Sequence, residues 1–167
     1  MNIFVTDPDP VKSAQVLPDK HIVKMPLETC QMLAIVASEE WGHGFGKLPK
    51  LDGTPYKTEK GAFRGHPCTV WAQNNYTWLI IHGLALCAEY THRYGKVHSC
   101  QHTIEHAKMI FPDWLPKPKS FTRAMPDGLN MTQALTLLLL TRITLAANLG
   151  LHLIIFVTHP ENQIGYD

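Results

Sequence analysis

Hydrophobic and polar positions alternate with helical period over most of the first two thirds of the chain. The clearest case is Leu17 to Gln31, LPDKHIVKMPLETCQ. There His21, Lys24 and Glu28 recur at i, i+3 and i+7 and share one helix face, while Ile22, Met25, Met32 and Leu33 fall toward a core. The helix should start after Pro18-Asp19 and end near Ser38, with Pro26 removing one backbone bond and kinking it a turn after His21. Upstream, Asn2 to Thr6 is an apolar run, read as a brief strand or a buried extended segment. Asp9-Pro10 is an N-cap acid followed by proline, so a short helix should run to about Val16. Gly42 to Gly65 is a long loop. His66-Pro67 opens a short helix by the same cap-plus-proline logic, broken near Asn74-Asn75. A long helix follows to Tyr94, with Trp78, Ile81, Leu84, Ala85 and Ala88 as its apolar stripe and His82, Glu89, His92, Arg93 and Lys96 on its polar side. Gly95 stops it. Val97 to Phe111 reads as one more helix, and Pro112 to Pro126 as a proline-rich connector. The pattern predicts an all-α fold: one small helical-bundle domain over residues 1–126 with a short extended N-terminal segment.

The pattern fails after Asp127. Leu129 to Val157 carries Arg142 as its one charge, and no 3.6-residue polar side is visible. The near flanks, Asp127, His159 and Glu161, are poor membrane anchors, so no membrane span is expected. Thr158 to Asp167 can be encoded by bases that, two positions on, read as a polar C-terminus and a stop. Residues 127–167 are therefore read as an apolar tail produced by a frameshift, expected to stay clear of any site and to be dispensable for folding.

Composition changes this picture little. The 167 residues are 45% apolar and 17% charged, with a net charge of +1, which suits one globular domain and leaves room for a local basic face. The four cysteines, Cys30, Cys68, Cys87 and Cys100, form no CxxC pair and suit reduced core thiols of a cytoplasmic protein. The start, MNIFVTDPDP, has no signal-peptide pattern. The long loop holds Lys47, Lys50, Lys57, Lys60 and Arg64 against Asp52 and Glu59, without a phosphate-loop motif.

Four groups of residues can carry chemistry. Asp19, His21, Lys24 and Glu28 suit either a solvated face with a Lys24–Glu28 pair or general acid–base work by Glu28 beside His21. His66-Pro67 is a helix cap or a histidine set against an anion. EYTHRYGKVH, with Glu89, Tyr90, His92, Arg93, Tyr94, Lys96 and His98, suits phosphate contacts, or cations stabilising a helix C-terminus. His98, His102 and His106, among ten histidines, would stack on one helix face, either as a surface row or as ligands of a metal-dependent hydrolase.

The strings DKHIVKMPLE, HPCTVWA with NYTWL, EYTHRYGKVH and AMPD resemble a group of small proteins frequent in bacteriophage genomes. More distantly, the layout resembles the pyrimidine-dimer DNA glycosylases, a small all-helical family of repair enzymes. That family carries an Asp-x-His near its start and a catalytic glutamate seven residues after the histidine, a spacing that Asp19, His21 and Glu28 match. His66-Pro67 and Arg93-Tyr94 are similar to later features of related bacterial members. The chain departs from the family at two points. The family nucleophile is the α-amine of a small N-terminal residue freed by methionine removal, where this chain has Asn2, and an arginine precedes the family glutamate, where this chain has Leu27.

The resemblance implies base excision on damaged or modified DNA in the cytoplasm of a phage host, without a cofactor or a metal. Glu28, His21 and His66 are then the catalytic candidates. Lys20, Lys24, Arg64, Arg93, Tyr94, Lys96 and His98 are the nucleic-acid contacts, and Trp71, Tyr76 and Tyr90 the base-stacking rings. Glu28 should converge with His21, His66 and Arg93. The rival readings are a non-catalytic phage module binding nucleic acid or protein, and the metal-dependent hydrolase. No residue pattern points to an oligomeric state.

Overall fold

The computed structural model describes residues 2–112. The proline connector, the boundary at 126 and the apolar tail lie outside the described residues. Five helices form within them: α1 (Pro10–Gln15), α2 (Asp19–Ala37), α3 (Pro67–Gln73), α4 (Tyr76–Tyr94) and α5 (Gln101–Ile110). The fold is all-α, and α2 and α4 are its central pair. Helix α4 packs on α1, α2 and α5, and α2 packs also on α3 and α5. None of these helices is long and apolar enough to cross a membrane.

Local chemistry sets most helix ends. The Asp9 carboxylate accepts from the Val11 and Lys12 amides at 2.8 and 3.2 Å, and Pro10 follows as the first helical residue. His66 caps α3 through its ring, with Pro67 again at the first position. Asn75 breaks the chain between α3 and α4, its side-chain amide donating to the Trp71 carbonyl at 2.8 Å. Gly95 closes α4 at φ 65°, a left-handed conformation that glycine adopts without strain. Helix α2 runs continuously through Pro26.

The run from Asn2 is a buried extended segment, and it explains how the interior is divided. Ile3 and Val5 join a large hydrophobic cluster with Cys30, Leu33 and Val36 of α2, Trp71 of α3, Leu79 of α4 and Ile104 of α5. Phe4 joins a second cluster with Leu17, Ile22, Met25 and Leu86. An extended chain sends alternate side chains to opposite sides, so this segment serves both clusters at once. The Ser13 hydroxyl then ties it to α1, accepting from the Thr6 amide at 3.0 Å and donating to the Phe4 carbonyl at 3.3 Å.

Two helices differ from the sequence reading. On α4, His82 belongs to the interior rather than to a polar stripe: it is 1% exposed and stacks on Trp78 with ring centroids 4.7 Å apart. Conversely, Ile81 and Ala88 of the expected apolar stripe are exposed. The reason is that α4 is covered on several sides, so its buried arc is wider than one stripe. Ile81 and Ala88 line an apolar groove together with Leu84, Phe111 and Pro112. Helix α5 starts at Gln101 instead of near Val97. The His98 ring turns the chain there: its Nδ1 accepts from the Cys100 amide at 3.1 Å and its Nε2 donates to the Val23 carbonyl at 3.0 Å.

Close approach of α2, α4 and α5 occurs at Gly83. A methyl carbon there would meet Thr29 Cγ2 at 2.8 Å and Ile104 Cδ1 at 3.1 Å. Replacing Gly83 with valine should overpack this junction and cost about 1–3 kcal/mol, read as a lowered midpoint in urea unfolding of the full chain.

Candidate active site

Glu28 faces inward on α2 and is 7% exposed. Its two carboxylate oxygens have different partners. Oε2 accepts from the backbone nitrogen of Asn2 at 2.5 Å. Oε1 lies 3.4 Å from Lys24 Nζ, one helical turn back, whose side chain is 65% exposed. A buried carboxylate requires such donors, because an unpaired one would be strongly destabilising. The acid therefore sits between the start of the chain and a solvent-facing cation.

His21 lies two turns before Glu28. The Phe4 ring meets it edge-on, with centroids 4.4 Å apart. Asn2 on Glu28 and Phe4 on His21 show that the N-terminal segment runs along α2 in the opposite sense. His21 is 5% exposed, and no hydrogen-bond partner meets its Nδ1 among the described residues. Burial, and after it the Lys24 charge, lower its pKa from 6.5 to about 4, so the ring is neutral at pH 7.

The start of α3 borders the same corner. The His66 Nδ1 accepts from the Cys68 amide at 3.2 Å. Cys68 is in turn hydrogen-bonded by the backbone of Ile3, and Glu28 is near enough to act on it electrostatically. Burial raises the Cys68 thiol to about 12, which keeps it protonated.

Arg93 does not join this corner. Its guanidinium donates to the carbonyls of Leu17 and Gln15 at 2.8 and 3.0 Å, to Asp19 at 2.9 Å and to Glu89 at 3.1 Å. It bolts the end of α4 to the turn between α1 and α2. Asp19 and Glu28 are nine residues apart on α2, or ~13 Å along its axis, so Arg93, tied to Asp19, lies away from Glu28, and the α3 residue that Glu28 acts on is Cys68. Asp19, which the resemblance brings in, serves this bolt.

The other candidates divide between surface and interior. Lys20, Lys24, Arg64, Tyr94 and Lys96 are exposed. His98 is buried on the Val23 carbonyl and holds the turn before α5. Trp71 and Tyr76, expected to stack on bases, are 7% and 8% exposed and belong to the large cluster. The Trp71 ring packs edge-on against Trp78, and Tyr76 against Phe45 and Phe111. Tyr90 is half-buried between Tyr94 and His98. The proposed histidine row does not form, because His98 precedes α5 while His102 and His106 lie on it. Among the described residues no group of three His, Cys, Asp or Glu side chains is placed to hold a metal.

Sequence reasoning found the glutamate and histidine but not what they touch. Asn2 and Phe4 are 26 and 17 positions away from Glu28 and His21. Their apolar alternation signalled burial without giving the partner. The pattern around Cys68 marks it as a core thiol and gives no sign of its place beside Glu28.

Chemically, the corner holds a carboxylate against the Asn2 backbone nitrogen, with the Lys24 cation beside it and a neutral imidazole two helical turns away. This defines a small helical domain with a buried acid held by the backbone near its own N-terminus. Residues 1–102 match the family model of the pyrimidine dimer DNA glycosylases, and the chain belongs to that family. No curated protein and no solved structure is detectably similar to it.

The histidines make stability fall on the acid side. His21, held near 4, and His82, lowered by burial to about 3, take up protons in the unfolded chain below about 6.5 but not in the folded one. Their contribution is complete above that value and is lost progressively as pH falls from about 6.5 toward 4. Replacing His82 with leucine removes a buried imidazole that has no hydrogen-bond partner among the described residues. Thermal melts between pH 7 and 5 should then show a shallower fall in Tm for His82→Leu than for the native chain.

Proposed function

We propose that this protein excises damaged pyrimidines from DNA by cleaving the glycosidic bond, with Glu28 as its catalytic carboxylate. The observation that carries this reading is the hydrogen bond between the Asn2 nitrogen and Glu28, since the family chemistry joins the nitrogen at the start of the chain to a glutamate. Departure of the base leaves positive charge on the sugar at C1′, and a carboxylate held in a poorly solvated corner stabilises that charge. In a chain processed after Met1, the Asn2 nitrogen is a primary amine in place beside Glu28. It attacks C1′, the base leaves with the bonding pair, and Glu28 takes the amine proton; the sugar ring then opens to an imine. In a chain that keeps Met1, the Asn2 nitrogen is an amide, and Glu28 acts on the Met1 amine or on a water instead.

His21, neutral and packed on Phe4, fixes the N-terminal segment and adds no charge that would oppose a cationic sugar. Lys24 pairs with Glu28 at 3.4 Å and faces the solvent where a phosphate would lie. Lys20, Lys96 and Arg64 add exposed cations for the DNA backbone. The cytoplasm of a phage-infected cell fits the four buried free thiols.

The test is incision of a duplex carrying one cyclobutane thymine dimer. Glu28→Gln should lower the incision rate by about 100-fold or more while leaving affinity for the duplex within about two-fold. Borohydride should trap a covalent protein–DNA adduct with the native chain if an amine is the nucleophile, and mass spectrometry of the adduct would show whether residue 1 or 2 carries it. Full incision activity in Glu28→Gln would refute the assignment.

A further inference from the structure

The loop between α2 and α3 carries a feature that the proposed chemistry does not use. Phe63 has φ 63°, a conformation costly for a bulky residue and worth a functional question. Its ring is 55% exposed. The backbone around it is firmly braced. The Thr58 carbonyl accepts from the Trp41 indole at 2.9 Å and from the Gly61 amide at 2.8 Å. The Arg64 guanidinium lies 4.3 Å over the Trp41 ring, and the Phe63 carbonyl accepts from the His66 amide at 3.0 Å. None of these contacts uses the Phe63 ring. A rigid turn therefore holds an aromatic side chain out into solvent at a conformational cost.

Phe63 lines a groove. One wall is α2, through Leu27 and Gln31; the other is the loop, through Lys50, Tyr56, Lys57 and Phe63. No carboxylate lines the groove, although Glu59 lies on the same loop. Asp52 is occupied by Thr54, whose amide and hydroxyl both donate to it. Lys50 and Lys57 are exposed and form no ion pair with a described carboxylate. Leu27 adjoins Glu28 in sequence, so the groove starts one helical position from the candidate catalytic acid. The exposed stripe of α2, Lys20, Lys24 and Leu27, leads into it. Lys50 lies 5.8 Å from the centroid of the half-buried Tyr56 ring, and solvent-facing cations beside a half-buried and an exposed ring suit a polyanion that also carries flat apolar faces.

We propose that this groove holds a DNA strand next to the reacting nucleotide, with Lys50 and Lys57 on its phosphates and Phe63 stacked on a base. The proposal rests on the DNA-directed reading of Glu28 and gives it a strand path and a stacking residue. The strained turn explains itself on this basis: it fixes the ring before DNA arrives, so that no side-chain or loop freedom is lost on binding. Phe63 is thus a positioning residue, fitted to wedge beside the damaged base and support its displacement from the stack.

The experiment uses the full chain and a fluorescein-labelled duplex containing one thymine dimer, with 2-aminopurine beside the dimer. Glycine accepts φ 63° without strain, so Phe63→Gly should melt at or above the native Tm. It should nevertheless bind about ten-fold or more weakly and lose the 2-aminopurine signal change that the native protein produces. Lys50→Ala and Lys57→Ala should weaken damaged and undamaged duplexes alike and each reduce the salt slope by about one. Native affinity and signal in Phe63→Gly, with a native salt slope in both lysine variants, overturn the groove proposal. If incision by the native chain remains intact in that case, the Glu28 reading stands alone. If the native chain binds in the way described but never incises, the groove stands and the Glu28 reading falls. No binding of either duplex at low salt overturns both, and would direct attention to a protein partner for the same surface.

Discussion

The structure depends on a four-residue extended segment having somewhere to put its side chains on both sides. Ile3 and Val5 enter one cluster and Phe4 the other, so hydrophobic burial fixes the segment from both sides. Each of these side chains is worth on the order of 1.5–3 kcal/mol when fully buried. That burial sets the register in which the Asn2 nitrogen reaches Glu28. A slip by one residue would exchange Phe4 with Ile3 or Val5 between clusters of different size, and it would take the chain start away from the acid. Precision at the site is thus a by-product of core packing two and three residues away.

The same segment determines the electrostatics. Phe4 covers His21 and helps keep water from it, which holds the imidazole neutral. The backbone of Asn2 supplies Glu28 with a donor that carries no charge of its own in the intact chain. Lys24 is then the one ion-pair partner of Glu28 among the described residues, and it is mostly solvated, so the pair contributes little to stability. Its role is better understood as local field than as a fold-holding bridge. Arg93 shows the opposite use of a cation. It satisfies carbonyls at the end of α1 together with two acids, and so holds α1, α2 and α4 at one corner.

Much of the fold was legible because its boundaries are local. Asp9-Pro10, His66-Pro67, Asn74-Asn75 and Gly95 each act on the residues next to them, and each is where the chain changes. What was not legible depends on neighbours distant in sequence. His82 looks polar, yet stacking on Trp78 and coverage on several sides of α4 bury it. His98 looks like the first of a helical row, yet a carbonyl on α2 and the Cys100 amide draw it into a turn. Trp71 and Tyr76 have the right chemistry for base stacking, but a ring face already packed against Trp78 or Phe111 is closed to a ligand. Glu28 and His21 were found by their shared helix face, whereas Asn2, Phe4 and Cys68 required the tertiary fold. Arg93 was misplaced for the same reason: a helix C-terminus attracts cations for phosphate and for carbonyls alike, and sequence does not separate the two.

One helix carries both halves of the proposed work, and its geometry explains why they stay in register. Neighbouring residues on a helix point about 100° apart, so Glu28 turns inward to the chain start while Leu27 turns outward to the groove. Pro26 precedes them and donates no backbone hydrogen bond, leaving the Ile22 carbonyl without its usual intrahelical donor. The helix stays continuous because Ile22 and Met25 are packed in one cluster and Cys30 and Leu33 in the other, on either side of the proline. A strand held at Leu27 would therefore lie about 100° around the helix from the carboxylate. Movement of the helix there would be felt at Glu28 within a single peptide unit, which makes the continuity of α2, more than any one contact, the link between the proposed groove and the proposed catalytic acid.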